Sequence, residues 1–304
     1  MVLVAEAIAG ESGLASTLPL TPLVEFPHTA SLIHDDIEDN SDERRGKPTV
    51  HLIYGTDTAI NSGSFLYFLS MACLEAWVVG PRHDAASLKA HIWKLWASHM
   101  RGLHFGQAMD IAWHRDYNSL PSLDEYDRMC RLKTGCLARL AAVLGSYSGA
   151  FASGGNYMEF SEQDGSLKIL ADVFGAAAEQ FGVGFQILDD VKNLETGVPG
   201  KKRGDDIVEG KKSLPVLLYL HKYPDKRDFV TRCFTAARSN GVGAPEVEEF
   251  IAALTEAGVL EEARGKALGY IQESRRVFSS HLVADFLIKE EGRELLVGLA
   301  DMLG

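Results

Sequence analysis

Apolar residues recur at three- and four-residue spacing along almost the whole chain, and no stretch sustains an apolar–polar alternation rich in β-branched residues. That spacing places them on one face of a helix. It predicts helices near 1–9, 20–41, 57–79, 84–113, 122–151, 165–196, 208–222, 225–239, 245–257, 260–278 and 281–303. Breakers fall where these runs end: Gly80-Pro81, Gly154-Gly155, the stretch from Gly197 to Gly204, and Tyr223-Pro224. Ser122 followed three residues later by Glu125 has the pattern of a capping box and opens the 122–151 run. Pro27 lies inside the 20–41 run, where it deletes a backbone hydrogen bond and predicts a kink costing about 3 kcal/mol unless something compensates. Several helices exceed twenty residues, and neither a linker nor a repeat interrupts them. The expected architecture is all-α: one large single-domain helical bundle, residues 1–304, around a central cavity.

Composition adds exclusions. A chain of 304 residues that is 46% hydrophobic can bury a sizeable core without disulfide or metal staples. A net charge of -12 argues against a nucleic-acid partner, because no broad basic surface is available for phosphates. It does not argue against a small phosphorylated substrate. Cys73, Cys130, Cys136 and Cys233 form no CxxC pair and sit in apolar helical sequence, which suits a reducing compartment. The opening MVLVAEAIAGE has no basic leader region, and no later apolar run is long enough to span a bilayer. A cytoplasmic, non-membrane-spanning protein is expected.

Two acidic clusters carry the candidate chemistry. Asp35 and Asp39 are four apart and share a helix face, with Asp36 beside them. Alone, such a cluster is an ordinary solvated face. Asp189, Asp190 and Asn193 repeat the same spacing after an apolar helical run, FGVGFQIL, where paired carboxylates are out of place. Two such helices facing across a cavity would make an all-oxygen cage of the kind Mg²⁺ prefers, completed by waters and substrate phosphates. Cations follow both clusters: Arg44 and Arg45 after the first, then Lys201, Lys202, Arg203, Lys211 and Lys212 after the second. The latter lie in a glycine-interrupted loop that can fold over a phosphate. Lys133 and Thr134, with Gln107 and Asp110, add polar groups to otherwise apolar helices.

At these residues the sequence resembles the trans-isoprenyl diphosphate synthases, the polyprenyl synthetase family. The matching segments are DDIED at 35–39, RRG at 44–46, GQAMD at 106–110, KTG at 133–135, FQILDD at 185–190 and GKKRGDDIVEGKKSLP at 200–215. DDIEDNS, RRGKPTVHLIYG and AINSGSFLYFL most resemble the geranylgeranyl diphosphate synthase branch. The resemblance implies the isoprenoid synthase fold, a homodimer and about three Mg²⁺ ions. It implies condensation of isopentenyl diphosphate with an allylic diphosphate (dimethylallyl, geranyl or farnesyl) to a product such as geranylgeranyl diphosphate. Asp35, Asp39 and Asp189 would hold metal, with Asp36 and Asp190 completing the catalytic carboxylates. Arg44, Lys133, Lys201 and Lys211 would grip the allylic diphosphate, with Gln107 alongside. The Lys133 carbonyl, the Thr134 hydroxyl and Gln186 would face the carbocation. Arg45 and His28 would hold isopentenyl diphosphate.

The family also carries a GKxxRP segment just ahead of the helix that here begins MVLVAEAIAG, and this sequence starts after it. The expectation is weak isopentenyl diphosphate binding by the chain as written. For product length, the growing tail would run along the 20–41 helix toward its N-terminus. Ala30 and Ser31 are small enough to let it pass, and Phe26, or Tyr67 and Phe68 on the next helix, would form a floor. Two rival readings share parts of this pattern. A class I terpene cyclase has the first motif and the fold, but usually a more spread second motif. A non-catalytic subunit tuning a partner synthase has no need of five intact aspartates. His91, His99, His104 and His114 lack cysteine or clustered carboxylate partners for zinc. Trp93 and Trp96 read as core or subunit-interface aromatics.

Overall fold

The computed structural model describes residues 1–77, 85–116, 119–152, 165–197, 201–280 and 289–303. The Gly80-Pro81 and Gly154-Gly155 breakers, residues 198–200 of the basic loop and the start of the 281–303 run lie outside them. The chain is helical nearly throughout: α1 (Val2–Ala9), α2 (Glu11–Thr17), α3 (Pro22–Glu38), α4 (Val50–Tyr54), α5 (Thr56–Ala76), α6 (Ala85–Arg115), α7 (Leu123–Cys130), α8 (Cys136–Ala152) and α9 (Gly165–Glu195). Then come α10 (Asp205–Glu209), α11 (Leu214–Lys222), α12 (Arg227–Asn240), α13 (Pro245–Glu256), α14 (Val259–Phe278) and α15 (Glu290–Asp301).

Two apolar cores flank the long helix α9. The first half of α9, through Leu170, Phe174 and Ala177, joins a core built from α1, α3, α5, α6 and α8. Its second half, through Val183, Ile187, Val191 and Leu194, joins a core of α7 and α10–α14. Asp189 and Asp190 sit on the second half. A carboxylate pair therefore rides on a helix anchored on both sides by buried aliphatic contacts.

Pro27 lies buried inside α3, which continues through it to Glu38. Its ring removes the N–H that would reach the Leu23 carbonyl. The indole N–H of Trp96 on α6 donates to that carbonyl instead, at 3.1 Å. The cost expected of an interior proline is thus offset by a side chain that also anchors α6 against α3. Trp93, one helical turn earlier, is 49% exposed, so the tryptophan pair divides between core and surface.

Four local features differ from the sequence expectation. The 122–151 helix opens with the expected Ser122–Glu125 capping box, but it is two helices joined by a π turn, Arg131–Gly135. The 208–222 helix is instead α10, a break at Gly210 in left-handed conformation, and then α11. A further helix, α2, follows α1. Residues 43–48 form a small antiparallel hairpin, Glu43–Arg44 pairing Lys47–Pro48. Its two-residue turn, Arg45-Gly46, has positive φ at both positions (55° and 78°), the geometry that matches hairpin twist.

Candidate active site

The hairpin aims the two arginines apart. Arg44 turns inward and donates to Asp36 Oδ1 through Nε (2.8 Å) and Nη2 (2.6 Å), and to Asp35 Oδ2 through Nη2 (3.3 Å). Arg45, at the turn, stays exposed. His28 on α3 lies where both arginines influence it: burial lowers its pKa, Glu25 opposes, and Arg45 and Arg44 lower it further.

The first acidic cluster is crowded with cations. Lys133 Nζ lies 2.6 Å from Asp110 Oδ2 and 3.4 Å from Asp35 Oδ1. The Gln107 amide donates to Asp35 Oδ1 (3.0 Å) and Glu38 Oε2 (2.7 Å). Burial raises the Asp35 pKa, but Lys133, Lys211, Lys201 and Arg44 outweigh it and hold the carboxyl well below the usual range. Lys211 Nζ reaches Asp39 Oδ2 at 3.1 Å and Glu209 Oε2 at 2.6 Å. Lys201 Nζ lies 2.9 Å from Glu209 Oε1 and 3.8 Å from Asp39 Oδ2. Lys201 and Lys211, which follow the second cluster in sequence, thus pair with Asp39 of the first cluster and with Asp206 and Glu209 of their own segment.

The second cluster is held differently. Asp190 is buried and accepts from the Tyr126 hydroxyl (2.7 Å) and the Gln186 amide (2.9 Å), both neutral. Burial, with Asp206 nearby, pushes its pKa up to about 7. Among the described residues, no hydrogen bond and no ion pair reaches the Asp189 carboxylate. Burial raises its pKa, while Lys201, Lys211, Lys192 and Arg44 pull it down. Three of those cations also act on Asp35, so the two clusters face one electrostatic field. Asn193 is not a free oxygen ligand. It is 1% exposed, and its Oδ1 accepts the Asp206 backbone N–H, tying α9 to α10.

The π turn brings Lys133 and Thr134 between the clusters. Thr134 Oγ1 donates to Gln186 Oε1 at 2.7 Å, so Asp190, Gln186 and Thr134 form a relay from buried carboxylate to hydroxyl. Gly106 on α6 makes this approach possible: a Cβ there would lie 2.5 Å from the Lys133 backbone nitrogen. A π turn leaves irregular backbone hydrogen bonding, which recurs where a helix presents backbone groups to a site. A cavity of about 30 Å³, lined by Asp110, Lys133, Gln186, Asp190 and Lys211 among others, lies beside the second cluster, with room for about one water.

The chain-length residues fall into two groups. Ala30 is fully buried, Ser31 and Phe26 are half-buried, and Tyr67 is 8% exposed and flanked by His34 and His104. Phe68 is 72% exposed on the outer side of α5, so it is not a floor within this chain. Successive helical residues point about 100° apart, so Tyr67 and Phe68 cannot both face inward. Tyr126, Glu38, Glu209 and Asp206 belong to the site but were not singled out from sequence. Asp206 and Glu209 lie inside the matched GKKRGDDIVEGKKSLP segment and could have been found there. Tyr126 carries no local signal, because its role depends on α7 meeting α9.

The donor set suits a hard divalent cation but not a closed protein cage. Among the described residues no three metal-ligating side chains converge on one point. The all-oxygen cage expected from sequence is therefore not formed by protein alone, because lysines stand between the carboxylates. Magnesium characteristically binds through one or two carboxylates plus substrate phosphates and waters. Asp189, which no hydrogen bond or ion pair reaches among the described residues and which shares the field of Lys201 and Lys211 with Asp35 and Asp39, fits that mode.

The polyprenyl synthetase family model matches residues 1–251. A geranylfarnesyl diphosphate synthase of Aeropyrum pernix is 29% identical over 99% of this chain and 86% of its own. A geranylgeranyl pyrophosphate synthase of Eremothecium gossypii is 36% identical over 65% of this chain, and that alignment spans 57% of the fungal protein. Among solved structures, a geranylgeranyl pyrophosphate synthetase from Pyrococcus horikoshii superposes with a TM-score of 0.79 at 26% identity, covering 99% of this chain and 83% of that one. The helical fold, the facing acidic clusters with their lysines, and these likenesses agree: the chain belongs to the polyprenyl synthetase family of trans-prenyltransferases.

Proposed function

We propose that the chain condenses isopentenyl diphosphate with an allylic diphosphate to give geranylgeranyl diphosphate or a product of similar length. The observation that carries this reading is the pair of facing acidic clusters. One is saturated with buried lysines, and the other opens with Asp189, which no hydrogen bond or ion pair reaches among the described residues. Lys133, Lys201, Lys211 and Arg44 are placed to exchange their carboxylate partners for diphosphate oxygens. Asp35, Asp39 and Asp189 would hold Mg²⁺, about three ions by family resemblance, which supplies charge that stabilises the departing diphosphate. The Thr134 hydroxyl and Gln186 carbonyl oxygen, oriented by Asp190, face the carbon that becomes cationic when its C–O bond breaks. Arg45 and His28 hold isopentenyl diphosphate, whose double bond attacks that carbon. The proton it then loses passes to the leaving diphosphate. The surrounding apolar helices keep water from the cation.

Product length follows from the same placement. Helical rise of about 1.5 Å per residue sets Ala30 roughly 7.5 Å and Phe26 roughly 13.5 Å below Asp35 along α3. A tail passing Ala30 and Ser31 meets Phe26 or Tyr67 first, which favours twenty carbons over fifteen.

A homodimer fits the exposed apolar side of α5 and α6, where Ile60, Phe65, Phe68, Leu69, Trp93 and Phe105 all face outward. The four unpaired cysteines suit the cytoplasm. Among the described residues no helix is long and apolar enough to cross a membrane. The test is to incubate the purified chain with Mg²⁺, isopentenyl diphosphate and farnesyl diphosphate. A linear twenty-carbon diphosphate supports the reading, and EDTA should abolish its formation. A cyclic hydrocarbon from the allylic substrate alone would mark a cyclase, and no turnover a non-catalytic subunit.

A further inference from the structure

The side of the π turn that faces away from the acidic clusters carries a second set of charged contacts. Residues two apart on a helix point in nearly opposite directions, so Arg131 projects away from the site that Lys133 enters. Its Nε donates to Asp127 Oδ2 at 2.6 Å, and its Nη1 lies 3.2 Å from Glu179 Oε2. Its guanidinium lies over the Tyr270 ring, 5.8 Å from the centroid. The Tyr270 hydroxyl in turn donates to Asp127 Oδ1. The four residues come from α7, the π turn, α9 and α14. Glu179 also touches the turn's last residue: a Cβ at Gly135 would meet its Cγ at 3.0 Å.

A single π turn departs from the i→i−4 ladder of the α-helices on either side, so contacts from outside that ladder help to set its shape. On the inner side those contacts are Lys133 with Asp110 and Asp35, and Thr134 with Gln186. These are the groups assigned to substrate, and Lys133 must be free to leave its carboxylates when diphosphate arrives. The outer contacts need not change. An Arg with two acid partners and an aromatic face is a fixed clamp, in contrast to a flexible Lys point charge.

We propose that Arg131, Asp127, Glu179 and Tyr270 form a positioning brace that holds the π turn in register while Lys133 and Thr134 act on substrate. The brace rests on the proposed prenyl transfer, and it gives α14, which carries no motif, a part in the reaction. None of the four residues touches substrate.

The test compares Arg131→Met, Arg131→Lys and Tyr270→Phe with the unaltered full chain, under conditions where each is shown to be folded. Arg131→Met should lower kcat about tenfold, with KM for the allylic diphosphate changed less than about twofold. Tyr270→Phe should show a smaller loss of the same kind, and Arg131→Lys should recover part of it. Hydrogen exchange of the backbone amides at 132–137 should rise at least about tenfold in Arg131→Met while that of α12 stays unchanged. A purely stabilising role would lower the melting temperature and leave kcat per folded molecule and local exchange intact, and that result overturns the brace. If the unaltered chain shows no prenyl transfer, the functional reading fails. The exchange measurement then decides the brace by itself: protection at 132–137 unmoved by Arg131→Met sinks it.

Discussion

The two acidic clusters have the same i, i+1, i+4 spacing and opposite surroundings. In the first, Asp35, Asp36 and Asp39 each lie within 3.3 Å of a lysine, arginine or amide donor, and Asp35 is held strongly ionised. In the second, Asp190 is satisfied by a tyrosine and a glutamine, its pKa is pushed up to about 7 by burial, and Asn193 serves the backbone of α10. Among the described residues no hydrogen bond or ion pair reaches the Asp189 carboxylate. Identical spacing therefore does not specify identical roles. One cluster is a counter-ion for buried lysines and an arginine. The other is a buried helix segment that aligns Gln186 and leaves the Asp189 carboxylate half-buried.

The largest effects expected from this comparison are on turnover. Asp35→Ala and Asp189→Ala should each lower kcat by at least about a hundredfold, as the loss of one transition-state charge stabiliser does. They should part company in stability. Removing Asp35 strips one counter-charge from Lys133 and Arg44, which keep Asp110 and Asp36, and should cost about 2 kcal/mol in the metal-free protein, the worth of a charged hydrogen bond. Removing Asp189, which has no hydrogen-bond or ion-pair partner among the described residues, should leave the melting temperature unchanged or higher. Equal destabilisation by both variants would erase the contrast.

A smaller effect concerns pH. The folded-state pKa of Asp190, about 7, lies above its ordinary value of 3.8, so the folded protein binds that proton more tightly than the unfolded chain does. The associated stability is fully present below the ordinary value and is lost as pH rises toward 7. Asp190→Asn should therefore flatten the decline of melting temperature between those limits and raise it at pH 8 by about 2–4 °C. Thermal unfolding at a series of pH values in EDTA checks this. A variant less stable than the parent at pH 8 would contradict it.

The subtlest effect is on product length. Ala30→Phe places a large ring one turn below the first cluster, where overpacking costs about 1–3 kcal/mol. Provided circular dichroism shows the variant folded, its dephosphorylated products should shorten to fifteen carbons or fewer. An unchanged twenty-carbon product would mean the tail does not pass Ala30.

The long helices were legible because an apolar face at helical spacing persists for twenty residues or more, as in α5, α6, α9 and α14. The capping box at Ser122 was legible because it is local. The hairpin at 43–48 was not, since two-residue strands carry no alternation and only the positive φ of Arg45 and Gly46 defines it. The π turn escaped for a similar reason. KTG reads as ordinary helix, and it is the close approach of Gly106 that goes with the wider turn. Motif matching found the carboxylates and lysines of the candidate site. Lys201 and Lys211 follow Asp189 in sequence, but because the chain folds back their nearest carboxylates are Glu209 and Asp39. Tyr67 and Phe68 are adjacent on α5 and point about 100° apart, so Tyr67 turns inward and Phe68 outward.

The central claim is that the cation site is shared between protein and diphosphate and is not preformed. Calorimetric titration of Mg²⁺ into the metal-free chain, with and without inorganic diphosphate, tests it most directly. Binding should be weak alone and at least about tenfold tighter with diphosphate, and Asp189→Ala should lose that gain. Tight Mg²⁺ binding without diphosphate, undiminished in Asp189→Ala, would contradict the account.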